Sequence, residues 1–167
     1  MRARVAAGVL ALGLASAAAV PAGAQDVLPA ERAFGYSVRA LDPATVEARF
    51  AIAPGYYLYR DRLKFSLASG QAPAALAAAP VLPPGKVKED AFFGTVETYR
   101  GEVSVRLALA APAPGGTVTV TAESQGCADL GVCYPAQRQS LELTLPAAGA
   151  GPGAPVEFAP AKKKWFN

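Results

Sequence analysis

Cys127 and Cys133 are the only two cysteines of the chain, and they are the side chains best suited to chemistry. Five residues separate them, Ala128-Asp129-Leu130-Gly131-Val132. Gly131 permits a positive-φ turn, and so short a spacing lets two Cα atoms come within the roughly 4.4–6.8 Å that a disulfide requires. Such a pair suits two roles. One is a structural staple. The other is thiol–disulfide exchange, in which a thiolate attacks a disulfide sulfur. A closed loop of about seven residues yields roughly 2.3 kcal/mol in the chain-entropy model, against ~3 kcal/mol for fifteen residues. A bridge between sequence neighbours is therefore a weak staple, and in a turn it is open to a partner. Exposure also makes a disulfide easier to reduce. The residue chemistry by itself leaves both roles open.

Composition removes several other classes. The chain has no histidine, which excludes Cys–His and Ser–His catalysis and the commonest metal ligand. Two cysteines without histidine make a poor zinc site. A single methionine, the initiator, argues against copper. No metal and no other cofactor is expected.

The N-terminus says where these cysteines work. Met1-Arg2-Ala3-Arg4 precedes an uncharged run from Val5 to Val20, and Pro21-Ala22-Gly23-Ala24 follows. A basic start, an apolar stretch and an A-x-A site make residues 1–24 a cleavable secretory signal peptide. The run is shorter than the ~20 residues of a membrane span and rich in alanine, so a membrane anchor is not expected. In an oxidising compartment the default state of two cysteines is a disulfide. The mature chain from Gln25 has roughly 140 residues, one domain's worth. The formal charge of +3 rests on Arg2 and Arg4 of the signal and on Lys162, Lys163 and Lys164 near the C-terminus. The remaining body is slightly acidic and has no electrostatic footprint for nucleic acid.

The elements that position the cysteines read as strands. Phe34, Tyr36 and Val38 alternate with Gly35, Ser37 and Arg39, and Val46, Ala48, Phe50 and Ile52 alternate with Glu47, Arg49 and Ala51. Leu63, Phe65 and Leu67 form a third such set. Val103, Val105, Leu107 and Leu109 form a fourth, and Leu141, Leu143 and Leu145 a fifth. This period marks strands with one buried face. Tyr56-Tyr57-Leu58-Tyr59, Val96–Tyr99 and the β-branched run Thr117–Ala122 add further strands, and residues 69–85 read as a long loop with at most a poor strand. Seven or more short strands between Pro/Gly turns, with no amphipathic helix, predict an antiparallel β-sandwich. An immunoglobulin-like topology is the commonest such solution, and periodicity does not separate it from a jelly roll. The domain is placed at 25–146. Residues 147–167, rich in Ala, Gly and Pro, are expected to be a disordered tail with a solubilising Lys/Trp/Phe end.

Three stretches carry a resemblance to a known family. They are Pro54-Gly55-Tyr56-Tyr57-Leu58-Tyr59-Arg60; Glu89-Asp90-Ala91-Phe92-Phe93-Gly94 with Glu97-Thr98-Tyr99-Arg100; and Gln125-Gly126-Cys127-Ala128-Asp129 through Cys133-Tyr134-Pro135. From about Val27 to Leu145 the chain resembles the N-terminal periplasmic domain of the thiol:disulfide interchange protein DsbD. The resemblance implies an all-β, immunoglobulin-like antiparallel β-sandwich working in the periplasm as a monomeric thiol–disulfide oxidoreductase. Its cysteine pair would pass reducing equivalents to oxidised thioredoxin-fold proteins, including disulfide isomerases and cytochrome c maturation thiol proteins. The electrons would come from a membrane-embedded thiol reductant or a thioredoxin-like donor domain. By position Cys133 matches the cysteine that forms mixed disulfides and Cys127 its resolving mate. Phe92 matches the aromatic tip of a cap loop, Asp90 an acidic cap residue, and Tyr57 and Tyr59 tyrosines lining the site.

Physical expectations accompany these roles. Asp90 and Asp129 beside a reduced Cys133 would raise its pKa, and a tyrosine hydroxyl donating to it would offset the rise. Phe92 on a loop hinged at Gly94 would shield the pair. Phe93 would then face the core, because adjacent residues cannot both point inward on a strand. Ala91 stands where the family commonly has an acidic residue, which softens the expected cap electrostatics. No membrane-spanning or thioredoxin-like module follows the tail, so the electron donor is expected on another polypeptide, unless the sequence is a truncated relative. The competing expectation is a secreted immunoglobulin-like binding module with a purely structural disulfide.

Overall fold

The computed structural model describes residues 27–70 and 72–159. The expected signal peptide and the Lys162–Phe166 end of the tail lie outside them. In chain order the strands are β1 (Phe34–Asp42), β2 (Thr45–Ile52), β3 (Tyr56–Tyr59), β4 (Lys64–Ser69), β5 (Ala72–Ala74), β6 (Lys86–Asp90), β7 (Gly94–Tyr99), β8 (Glu102–Ala108), β9 (Thr117–Ser124), β10 (Gly126–Ala128), β11 (Gln137–Thr144) and β12 (Val156–Glu157). They form three antiparallel sheets in the orders β12-β1-β2-β8, β10-β3-β7-β6 and β11-β9-β4-β5. The only helical segments among the described residues are single turns at Ala30–Ala33 and Arg60–Arg62. The architecture is the expected immunoglobulin-like antiparallel β-sandwich.

The alternation read from sequence is the alternation of burial. In β1, Phe34, Tyr36, Val38 and Ala40 are buried and the residues between them face outward. In β8, Val103, Val105 and Leu107 do the same. These side chains meet Val118, Val120, Leu141 and Leu143 of the opposing sheet in one core. The Tyr36 ring stacks on Phe50 at 5.0 Å, and its hydroxyl reaches across to donate to the Val120 carbonyl at 3.5 Å. Full burial of each large apolar side chain contributes about 1.5–3 kcal/mol, so this stripe carries most of the fold's driving force.

Two segments depart from expectation. β6 lies where no strand was expected, because Lys86, Lys88 and Glu89 give it no apolar face and most of it is exposed. Its strand geometry comes from pairing with β7, where Lys86 opposes Thr98 and Asp90 opposes Gly94. The tail is the larger correction. Gly153 N–H donates to the Ala40 carbonyl, Val156 and Glu157 pair with Val38 and Ser37, and Phe158 N–H donates to the Tyr36 carbonyl. The fold therefore continues past residue 146 to Phe158. The free edge of β1 offers a row of unpaired backbone groups, and Val156 and Phe158 flanking Glu157 pack on the core. Two apolar residues are too short a pattern to register in an Ala/Gly/Pro-rich stretch.

Candidate redox site

Strand β3 is buried at all four positions. Successive strand residues point to opposite faces. Tyr56 and Leu58 therefore enter the main core, while Tyr57 and Tyr59 face the other way into a small cluster with Cys127, Val96 and Cys133. This two-sided burial explains the run of aromatics in a segment with no polar alternation.

β10 delivers Cys127 to that cluster by pairing with β3, placing Cys127 opposite Tyr57 and Gly126 opposite Leu58. A Cβ on residue 126 would sit 2.2 Å from the Tyr57 carbonyl oxygen and 2.7 Å from the Phe34 ring. Glycine is thus required for the approach of the two strands. Cys127 is 0% exposed. Its disulfide partner Cys133 is half-buried, on a loop turned by Gly131 at φ 85°. The two Cα atoms are 4.0 Å apart across an isolated antiparallel bridge. Leu130 and Val132 stand exposed beside Cys133. The expected bond and positive-φ turn are both present, and the pair is asymmetric, with Cys127 fully buried and Cys133 half-buried.

Asp90 organises the cluster. Its Oδ1 accepts the backbone N–H groups of Phe92 at 2.9 Å and Phe93 at 3.3 Å, an Asx-type closure of the β6–β7 turn. Its Oδ2 accepts the hydroxyls of Tyr57 at 3.0 Å and Tyr59 at 2.8 Å, and Lys88 Nζ lies 3.5 Å away. Burial alone would push this carboxyl up, but the turn N–H groups and the two phenols outweigh it and hold Asp90 down at about 2. Burial raises the Tyr59 phenol, and its bonds to Tyr57 and Asp90 raise it further, so it stays protonated.

The Tyr59 oxygen also lies 3.2 Å from Cys127 Sγ. A phenol has one proton, and here the Asp90 carboxylate takes it. Tyr59 therefore presents lone pairs to Cys127, a geometry that accepts a thiol S–H and does nothing for a thiolate. In the oxidised pair the hydroxyl reaches the buried sulfur, with its proton held by Asp90.

Asp129 is bound elsewhere. Arg100 grips it through both guanidinium nitrogens, at 2.6 and 2.9 Å, and holds its carboxyl below the usual range. Its charge is largely matched, so Asp129 presses less on Cys133 than expected. The Tyr57 ring carries two cations, Lys88 Nζ at 4.7 Å from the centroid and the Arg100 guanidinium at 5.1 Å.

The hairpin tip holds the remaining expected site residues. Gly94, at φ 69°, closes the three-residue loop Ala91–Phe93. Phe92 is 69% exposed at its apex. Phe93 is 42% exposed and is not a core residue; its ring packs edge-on against Tyr59 at 5.2 Å with Arg62 above it. Phe93 leaves the core because the turn, unlike a strand, does not alternate inward and outward. The contributions of Lys88, Arg100 and Gly126 were not singled out in the sequence, although Arg100 and Gly126 stand inside the motifs that carry the resemblance.

The family model for the DsbD N-terminal domain, "Thiol:disulfide interchange protein DsbD, N-terminal", matches residues 24–145. The chain belongs to this family. It is 44% identical over 155 residues to the thiol:disulfide interchange protein DsbD of Ralstonia nicotianae, covering 91% of this chain and 24% of that protein. It is 45% identical over 129 residues to DsbD 2 of Pseudomonas aeruginosa, covering 77% of this chain and 19% of that one. The chain thus spans about a fifth to a quarter of the length of the curated relatives it matches. Among solved structures, the Neisseria meningitidis DsbD N-terminal domain in the reduced form superposes with a TM-score of 0.62 at 32% identity, covering 76% of this chain and 94% of that one. A complex of the DsbD N-terminal and PilB N-terminal domains from the same species gives 0.59 at 33%, with 78% and 94% covered.

Proposed function

We propose that this DsbD-family domain is a periplasmic thiol–disulfide oxidoreductase that relays reducing equivalents through Cys127 and Cys133 to oxidised thioredoxin-fold proteins. The observation that carries the reading is the asymmetry of the pair, with Cys127 fully buried behind a half-buried Cys133. A staple has no need of one presented sulfur. Exchange does, because the attacking atom must reach a sulfur on another protein while the second thiol waits behind it. In the reduced domain the Cys133 thiolate attacks the partner disulfide, forming an intermolecular bond and expelling one partner thiolate. The Cys127 thiolate then attacks Cys133 Sγ, closing the internal disulfide and releasing the partner as a dithiol. Two electrons leave the domain, and a membrane-embedded thiol reductant or a thioredoxin-like donor domain restores them. In the reduced domain Tyr59, whose proton is held by Asp90, offers an acceptor to the buried Cys127 thiol. The Neisseria homologue supports the exchange reading, since it is known in a reduced form and in complex with the PilB N-terminal domain.

The reduction potential tests the reading. Equilibration with glutathione buffers is expected to place the Cys127–Cys133 couple among catalytic disulfides. A value well below about −300 mV would mark a structural bond and leave a binding module in its place.

Phe92, at the tip of the loop that Asp90 and Gly94 shape, is assigned the cap over the pair, opening when a partner docks. Because so much of its ring is already exposed, the shield is partial. Phe92→Ala is expected to speed reaction of reduced Cys133 with a small aromatic disulfide about two- to fivefold, equivalent to less than ~1 kcal/mol of barrier. An unchanged rate removes Phe92 from the site.

A further inference from the structure

Opening the disulfide removes the only covalent tie that holds Cys133 beside Cys127. The backbone bonds Ala128 N–H to Val132, Gly131 N–H to Ala128 and Tyr134 N–H to Gly126 all lie within the segment 126–134 itself. They join the loop to β10, and at its far end Tyr134 packs its ring against Phe34 and Tyr56 and donates its hydroxyl to the Leu28 carbonyl. Two connections from the root of the loop reach a different element. Asp129 N–H donates to the Gly55 carbonyl at 2.8 Å, and the Asp129 carboxylate is held by Arg100.

Arg100 comes from the turn between β7 and β8, which Gly101 closes at φ 70°. Its Nη1 donates to Asp129 Oδ2 at 2.9 Å and to the Tyr56 carbonyl at 3.3 Å, and its Nη2 donates to Asp129 Oδ1 at 2.6 Å. Its guanidinium lies over the ring of Tyr57, the residue opposite Cys127. One side chain therefore touches β3, the tyrosine across from the buried cysteine and the start of the loop that bears the half-buried one. We propose that Arg100 is a positioning residue of the redox site, clamping the Cys133 loop of the reduced domain so that Cys127 can reach Cys133.

The clamp rests on the exchange function proposed above and adds a residue to it. Isolated surface ion pairs contribute little, about 0–1 kcal/mol, and both partners here are half-exposed. The forked guanidinium is nevertheless planar and pre-organised, and its other contacts fix it independently of Asp129. In the oxidised domain the disulfide does the same positioning, so losing the clamp changes little there. In the reduced domain its loss lowers the effective concentration of one thiol at the other. Ring closure should then slow, and the couple should become more oxidising by the same factor.

The test follows reduced protein mixed with oxidised glutathione. Cys133 attacks first and expels one glutathione thiolate; Cys127 then attacks Cys133 Sγ and expels the second. In Arg100→Gln the second step is expected to slow about fivefold with the first unchanged, and the potential to rise by about 20 mV, given that a tenfold change is 29.6 mV. Asp129→Asn should reproduce both effects, and the double variant should add nothing further. Arg100→Lys should restore only part, since an ammonium lacks the fork. The thermal midpoint of the oxidised protein should hardly move. Both single variants matching wild type would overturn the proposal, as would equal slowing of both steps with a lowered midpoint in the oxidised form. If the wild-type pair itself is inert to glutathione, the exchange function fails instead.

Discussion

With Cys127 replaced by alanine, reduced Cys133 will accumulate as a long-lived mixed disulfide with whatever oxidised thiol protein it attacks. The geometry leaves no other sulfur to resolve it, because these are the only two cysteines of the chain. Cys133→Ala should behave in the opposite way. Its surviving thiol is 0% exposed and packed against Tyr57 and Tyr59, so adduct formation should fall to background in the folded protein. Either substitution also removes the bridge, at a cost of about 2 kcal/mol for a loop this short, which a core of this size absorbs. The measurement is a non-reducing gel with mass spectrometry after incubation with oxidised glutathione, then with a periplasmic extract. Equal trapping by both variants, or trapping through Cys127 alone, would reverse the division of labour proposed for the pair.

The sequence disclosed the sandwich through its alternation and disclosed the cysteine pair through its spacing. Both signals are local. Phe34, Tyr36 and Val38 declare a buried face whatever they pack against, and Gly131 declares its turn within the same six-residue step. What stayed hidden depends on contacts between distant segments. β6 has no apolar face, and its conformation is imposed by β7. β12 is a two-residue match to an open edge. The same holds within the site. Tyr57 and Tyr59 are placed at the site by the resemblance alone, since β3 is covered on both sides and no local period reports a second cover. The direction of the Tyr59 proton depends on Asp90, 31 residues away, and only the assembled hairpin puts the carboxylate there. Phe93 was expected in the core by a rule for strands, and the turn at Ala91–Phe93 suspends that rule.

Asp90→Asn is expected to destabilise the domain strongly while leaving both cysteines in place. The native carboxylate uses one oxygen for the turn N–H groups of Phe92 and Phe93 and the other for the two phenols. An amide has a single acceptor oxygen, so one of these pairs must lose its partner. Charge-assisted bonds of this kind contribute about 1.5–3 kcal/mol, and a loss of about 3 kcal/mol at pH 6 is expected in urea denaturation. The pH dependence follows from the depressed carboxyl. Unfolded Asp90 binds a proton near pH 4 and folded Asp90 only near 2, so the unfolded state holds more protons between these values. The stability that Asp90 contributes is therefore fully present above about pH 4 and is lost as pH falls through about 2. The gap between wild type and Asp90→Asn should close over that window, and a gap that is absent at pH 6 or constant down to pH 2 would assign the stabilisation elsewhere. The amide also has a chemical consequence. If its oxygen stays with the turn, its N–H groups face the phenols and make them acceptors, which frees the Tyr59 proton to point at Cys127 Sγ. A donor there stabilises the thiolate. The Cys127 thiol of the reduced variant should ionise at lower pH than in wild type, readable from thiolate absorbance in a Cys133→Ala background, because the carboxylate that held the proton away is gone.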